Sequence, residues 1–206
     1  GWRGLCATGA DHGTRYTLRL RQGLTLGGGV LAADREVVFQ VPDRDPRVTL
    51  AGYAYVLPRA GGTTVPVDVV NGVSAEVSLV RVTERNLVSR FVRSRLLEPL
   101  RPWELRALRQ GVGERVWRGT VAFAAGAPNR EVRRGITLPE EALAAPGLYA
   151  LVVHRVFGPD ADPAAEDPGD PDRVAASQWL VSTDLGLAAL EGDDGLTAIV
   201  RGLADG

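Results

Sequence analysis

The sequence predicts an all-β chain: an immunoglobulin-like antiparallel β-sandwich with one short helix, flanked by parts of neighbouring β domains. Three observations predict it. Apolar and polar residues alternate with period two in segment after segment, the signature of strands with one buried face. Gly, Pro and Asn-Gly turn signals separate these segments at short intervals. Only one segment carries helix-start and helix-stop chemistry, and the spacing and turn chemistry of the strands fit an antiparallel sandwich better than a βαβ arrangement.

The elements follow in order. Residues 1–13 are irregular and Gly-rich. Arg15 to Arg21 alternates strictly, with Tyr16, Leu18 and Leu20 on one face and arginines and Thr17 on the other. Gly27 to Gly29 supplies a flexible turn, and Glu36 to Val41 is a second strand with Val37, Phe39 and Val41 inward. Pro42-Asp-Arg-Asp-Pro46 breaks the pattern and reads as a linker between units. Strands follow at Arg47 to Leu50, Tyr53 to Leu57 and Thr64 to Val70. Asn71-Gly72 is a hairpin signal, which makes Ser74 to Val82 the partner of the preceding strand. The helix spans about Arg101 to Arg109: Pro102 suits its first turn, Glu104 and Arg109 complement its dipole, Leu105 and Leu108 form its apolar stripe, and Gly111 caps it.

Beyond the helix, Glu114 to Phe123 alternates, with Trp117, Val121 and Phe123 on one face; Asn129 to Leu138 follows. Gly147 to Val156 is a long apolar run, which predicts a central strand covered on both faces. Its Gly-Leu-Tyr149 start resembles the tyrosine corner of immunoglobulin-like sandwiches. Residues 157–173 are rich in Pro, Asp, Ala and Gly and predict a mobile surface excursion. Val174 to Ser182 returns to strand, and Gly192-Asp-Asp-Gly195 is a hairpin turn between the last two apolar segments. Seven or eight strands fall between residues 47 and 183.

Composition narrows function by exclusion. The net charge is −1, giving no electrostatic basis for nucleic acid or an anionic membrane surface. All 24 basic residues are arginine, in keeping first with a GC-rich codon bias. No apolar run reaches the ~18 residues of a spanning helix. Cys6 stands alone, so it forms no internal disulfide, and it has no CxxC partner. His12 and His154 lie outside any metal-ligand or triad spacing and read as structural or surface residues. A hydrolase reading would use His154 with Ser177 and Asp184. The carboxylates between Asp160 and Asp172 do not follow a calcium-loop spacing, and four prolines interrupt the 157–173 excursion that holds them. Arg130, Arg133 and Arg134 form a solvated basic cluster. Trp117 and Trp179 read as core, whereas Trp103, at the helix start, suits an inter-domain contact. No phosphate loop, dinucleotide fingerprint or nucleophile elbow occurs. The residues therefore assign no catalytic, cofactor-binding or metal site.

An ordered set of segments resembles the N-terminal macroglobulin-like domains of bacterial alpha-2-macroglobulins: His12-Gly-Thr-Arg-Tyr16, Val41-Pro-Asp-Arg44, Tyr55-Val-Leu-Pro58, Val80 to Leu87, Glu114-Arg-Val-Trp117, Gly147-Leu-Tyr149, and Gln178 to Leu187 followed by Gly195 to Leu203. The resemblance implies three pieces. Residues 1–46 are the end of one macroglobulin-like domain, 47–183 one complete domain, and 184–206 the first strands of the next. It implies a non-catalytic scaffold segment of a periplasmic protease trap, no cofactor, and neighbouring domains of the same chain as partners. Target proteases would be met through the full-length protein, and the membrane only through a lipid anchor outside this segment. The family's thioester motif, Cys-x-Glu-Gln, is not matched: Cys6 is followed by Ala7-Thr8-Gly9. A generic cell-envelope immunoglobulin-like binding module is the alternative.

Overall fold

The computed structural model describes residues 8–52, 54–58, 63–83, 100–161, 174–193 and 195–203. Eight strands from β5 to β12 build two sheets. β5 (Arg47–Leu50), β7 (Thr64–Val70) and β10 (Val132–Thr137) form a three-stranded sheet in the order β10-β7-β5. β6 (Ala54–Pro58), β8 (Ser74–Val82), β9 (Gly113–Ala122), β11 (Gly147–Phe157) and β12 (Ala176–Thr183) form the other, in the order β6-β12-β11-β8-β9. Two-stranded units lie before and after: β1 (Arg15–Leu20) with β4 (Arg35–Gln40), and β13 (Leu185–Gly192) with β14 (Gly195–Gly202). A minimal hairpin joins β2 (Thr25–Leu26) to β3 (Gly29–Val30). Gly27 and Gly28 both take positive φ there, +58° and +89°, as a two-residue turn matched to strand twist demands.

Period two explains the layers. On β11, Tyr149, Leu151 and Val153 point between the sheets, where they meet Val65, Val67 and Val69 of β7 and Ala75, Val77 and Leu79 of β8. The alternate residues Leu148, Ala150 and Val152 point the other way, into a second apolar cluster with Val80, Val82 and Trp179. Helix α1 (Pro102–Ala107) supplies the cover for that outer face through Leu105, joined by Leu108 from the turn that follows. The central, doubly covered position expected for this run is thus observed, between β12 and β8.

The helix starts where its chemistry predicts. Pro102 occupies the first turn, and the Glu104 carboxylate accepts a 2.7 Å hydrogen bond from the Arg101 amide. It is shorter than expected, because the chain widens into a turn over Leu108–Val112 and leaves helical geometry at Gln110 and at Gly111, φ +120°. The tyrosine corner is also present: the buried Tyr149 hydroxyl donates to the Ala145 carbonyl, 2.6 Å away. Tyr149→Phe keeps the ring and strips this partner from Ala145, so a loss of about 1–2 kcal/mol in denaturant unfolding is expected. No change would show that this carbonyl is already solvated.

One expectation is corrected and the fold gains one detail. β7 and β8 are not a hairpin; they lie in opposite sheets. Asn71, at φ +48°, turns the chain from one sheet to the other, and Val73 is received by backbone bonds with Phe157 and Phe123. A Cβ on Gly72 would come within 2.9 Å of both Val69 and Val156, so the corner needs glycine. Asn-Gly marks a reversal, but with apolar residues on both sides it does not say whether the reversal stays in one sheet. The sandwich is also not wholly antiparallel: β6 runs parallel to β12. The chain leaves β5, crosses the sandwich at Ala51–Gly52 and joins the far sheet. Buried Gln178 holds that crossing by donating to the Ala51 carbonyl at 2.6 Å and the Gly52 carbonyl at 3.2 Å.

Val116 and Trp117 both pack against the inter-sheet core because the register slips between Leu79 and Val80, a bulge that turns two successive residues inward. The flanking hairpins are apolar yet exposed. Tyr16 stacks on Phe39 across β1–β4 at 5.7 Å, while Leu18 and Val37 stay exposed. On β13–β14, Leu185, Leu187, Leu196 and Val200 share a face that is open among the described residues.

Candidate functional site

Among the described residues a dense polar constellation sits where the segment 42–46 meets the sandwich. Its two centres are Asn71, at the β7–β8 corner, and Asn129, in the β9–β10 loop. Both adopt left-handed backbone, φ +48° and +62°, a conformation asparagine tolerates better than most residues. They bond each other reciprocally. The Asn71 amide nitrogen donates to Asn129 Oδ1 at 2.9 Å, and the Asn129 backbone N–H donates to Asn71 Oδ1 at 2.7 Å.

The linker enters between them. Asn71 Nδ2 also donates to the Arg44 carbonyl at 2.6 Å, and the Arg44 N–H donates to Asn129 Oδ1 at 2.8 Å. Asn129 Nδ2 donates to the Asp43 carboxylate at 2.6 Å. The Arg44 guanidinium reaches the Asn129 carbonyl at 3.3 Å. Gly13 closes the cluster from the N-terminal side: its N–H bonds the Val41 and Pro42 carbonyls, and a Cβ there would lie 2.4 Å from Asp43 Oδ1. His12 donates through Nδ1 to the Pro42 carbonyl at 3.0 Å. At the other end Pro46 packs on Gly158, where a Cβ would approach to 2.9 Å. The segment that reads as a loose linker is therefore a pinned joint between the β1–β4 unit and the sandwich.

Beside the joint opens a cleft of about 230 Å³ lined by Asn71, Val73, Ala125, Arg130 and Val132 among others. Its volume falls below the ~300 Å³ at which ligand pockets begin. Arg134, on its wall, is spent on the Ala124, Ala125 and Arg133 carbonyls.

The other sequence candidates are dispersed. His154 Nε2 lies 2.7 Å from Ser78 Oγ, on neighbouring strands, and not in a pair with Ser177. Asp184 lies beyond the far end of β12 from Ser177, about 20 Å along an extended strand, so those residues do not assemble into a relay. Arg133 pairs with Asp68, whose hydrogen bond and then its charge raise the guanidinium pKa above its ordinary value. Arg130 is exposed. Trp179 is buried, Trp117 half-buried, and Trp103 is 52% exposed on α1. Cys6 and the carboxylates from Asp162 to Asp172 lie outside the described residues, and Asp160 is exposed. Among the described residues no group of three His, Cys, Asp or Glu side chains could hold a metal ion. Among the described residues no helix is long and apolar enough to cross a membrane.

Sequence reasoning missed the joint. Its signals were present in Asn71-Gly72, Pro128-Asn129 and the two prolines around Asp43–Asp45, but each reads locally as a turn or a linker. What joins them is tertiary: the two asparagines are 58 residues apart in the chain.

No family model and no curated protein sequence matches the chain. Among solved structures it is similar to alpha-2-macroglobulin from Escherichia coli spanning domains MG0-NIE-MG1, with 18% identity and a TM-score of 0.56 over 96% of this chain and 59% of that one. It is also similar to Salmonella alpha-2-macroglobulin, in a point mutant (TM-score 0.63, 15% identity) and after reaction with methylamine (0.60, 16%), covering 94% of this chain and 10% of those. Its structural neighbours are thus bacterial alpha-2-macroglobulins, and the fold is that of their domains. The chain spans about six-tenths of the first of these structures and a tenth of the longer ones.

Proposed function

We propose that this chain is a non-catalytic scaffold segment of a bacterial alpha-2-macroglobulin-like protease inhibitor of the cell envelope. The observation that carries the reading is the shared fold over 94–96% of the chain. In this reading residues 47–183 are one macroglobulin-like domain, and 1–46 and 184–206 belong to its neighbours. The exposed apolar faces of β1–β4 and β13–β14 are what such parts present when their own domains are not complete. The pinned joint supports a scaffold role, because a cage that encloses a protease needs fixed angles between successive domains. In this reading the parent protein works in the periplasm, held by a lipid anchor outside this segment; release by osmotic shock without detergent would refute the anchor.

The full-length protein tests the main reading. Mixed with a protease and separated by size, it should carry protease that still cleaves a small peptide substrate but no longer a large protein. If protease never co-elutes, trapping fails. The alternative, a binding module that uses the exposed Trp103 face, predicts capture of a partner protein that Trp103→Ala abolishes while trapping is absent.

A further inference from the structure

We propose that Asn71-Gly72 is a deamidation site held shut by the joint, and that its reaction makes opening of the joint irreversible. The inference rests on the joint's geometry and not on protease trapping.

Asn-Gly is the dipeptide in which intramolecular attack on the side-chain amide is least hindered, since glycine places no Cβ beside its own nitrogen. The Gly72 nitrogen attacks Cγ of Asn71. The N–Cγ bond forms, the Cγ–Nδ2 bond breaks, and ammonia leaves carrying the glycine proton. Water then opens the cyclic imide at either carbonyl, leaving aspartate or isoaspartate. The amide must turn toward the Gly72 nitrogen for this to begin.

In the closed joint that rotation is opposed at every polar atom of the amide. Both Nδ2 protons are engaged, by the Arg44 carbonyl at 2.6 Å and Asn129 Oδ1 at 2.9 Å, and Oδ1 accepts from the Asn129 N–H at 2.7 Å. Gly72 is itself wedged between Val69 and Val156. Attack therefore waits for the joint to open. Once it has occurred, the joint has no way back to the same state. A carboxylate oxygen in place of Nδ2 faces two acceptors, Arg44 O and Asn129 Oδ1, with no proton to share. The Asp43 carboxylate, already bonded to Asn129, adds a like charge to the cluster. The Arg44 guanidinium can meet the new charge only by leaving the Asn129 carbonyl. An isoaspartyl backbone additionally lengthens the corner.

The chain is incubated in mildly alkaline buffer, folded and in urea, and the peptide holding Asn71-Gly72 is followed by mass spectrometry for the gain of an amide-to-acid exchange. The folded chain should react at least about tenfold more slowly than the unfolded one, because reaction is limited to the open fraction. Folded Asn129→Ala, which removes one acceptor of Nδ2 and frees the linker, should recover most of that difference. Equal rates in folded and unfolded wild-type chain overturn the proposal, as does an Asn129→Ala chain no faster than wild type. A second variant covers the case in which Asn129→Ala does not fold. Asn71→Asp mimics the product, and in it the Arg44 amide should exchange hydrogen at least about tenfold faster than in wild type; unchanged protection overturns the irreversibility.

Discussion

Trp179→Ala should lower the stability of the sandwich by about 3–5 kcal/mol, the range for emptying a buried large aromatic site. Trp179 is 2% exposed and lies on the outer face of the five-stranded sheet, opposite Ala150. Its neighbours there include Leu148, Val152, Leu105 and Leu108. Two effects compete in setting the magnitude. Ala150 is too small to fill the void from the paired strand, which pushes the cost up. Helix α1 has only six residues and can settle inward, which brings it down. We expect the second to dominate and the value to fall near 3 kcal/mol, a drop in melting temperature of roughly 10 °C for a domain of this size. That is a large part of a domain's margin. An unchanged melting temperature would show that α1 and the face beneath it melt separately from the sandwich.

Asn129→Ala should open the joint while leaving the sandwich folded. The substitution leaves the Arg44 N–H, one Asn71 amide proton and the Asp43 carboxylate without their shared partner, and places alanine at φ +62°. Left-handed backbone costs a β-carbon residue about 1–2 kcal/mol, and each partly buried group stripped of its bond adds up to about 1 kcal/mol after water is allowed in. The sum, about 1–5 kcal/mol, falls on local opening. Amide exchange at Arg44 should therefore accelerate strongly, with Val77 and Leu151 in the central strands unchanged. Retained protection at Arg44 would mean that Asn71, Pro46 and Gly13 hold the linker without the Asn129 side chain.

What could be read from residues alone follows from range. Alternation fixes which side chains of β11 face each layer, because the period is a property of the strand itself. The tyrosine corner at Tyr149 and the helix start at Pro102 were legible for the same reason: their partners, Ala145 and Glu104, lie within four residues. The β7–β8 corner was not, since sheet membership depends on β10 and β5 for one strand and on β11 and β9 for the other. The joint was illegible for a stronger version of that reason. Nothing near Asn71 announces Arg44 or Asn129, and a polar cluster has no periodicity by which to find it. Trp179 was legible as core but not as the outer core, because the helix that covers it is distant in sequence.

The parallel pairing of β6 with β12 bears on how the molecule is made. The Gln178 contact with Ala51 closes a loop of 127 residues. Loop-closure entropy grows slowly with length, but contacts of such separation are rate-limiting because they reward the chain only after everything between has been arranged. On the ribosome, β6 has no strand partner among the described residues until the chain has been synthesised through Thr183. Until then the edge of β6 and the face of β11 lack the cover that β12 gives them, and a stalled chain ending before Ala176 should aggregate where one ending after Thr183 does not.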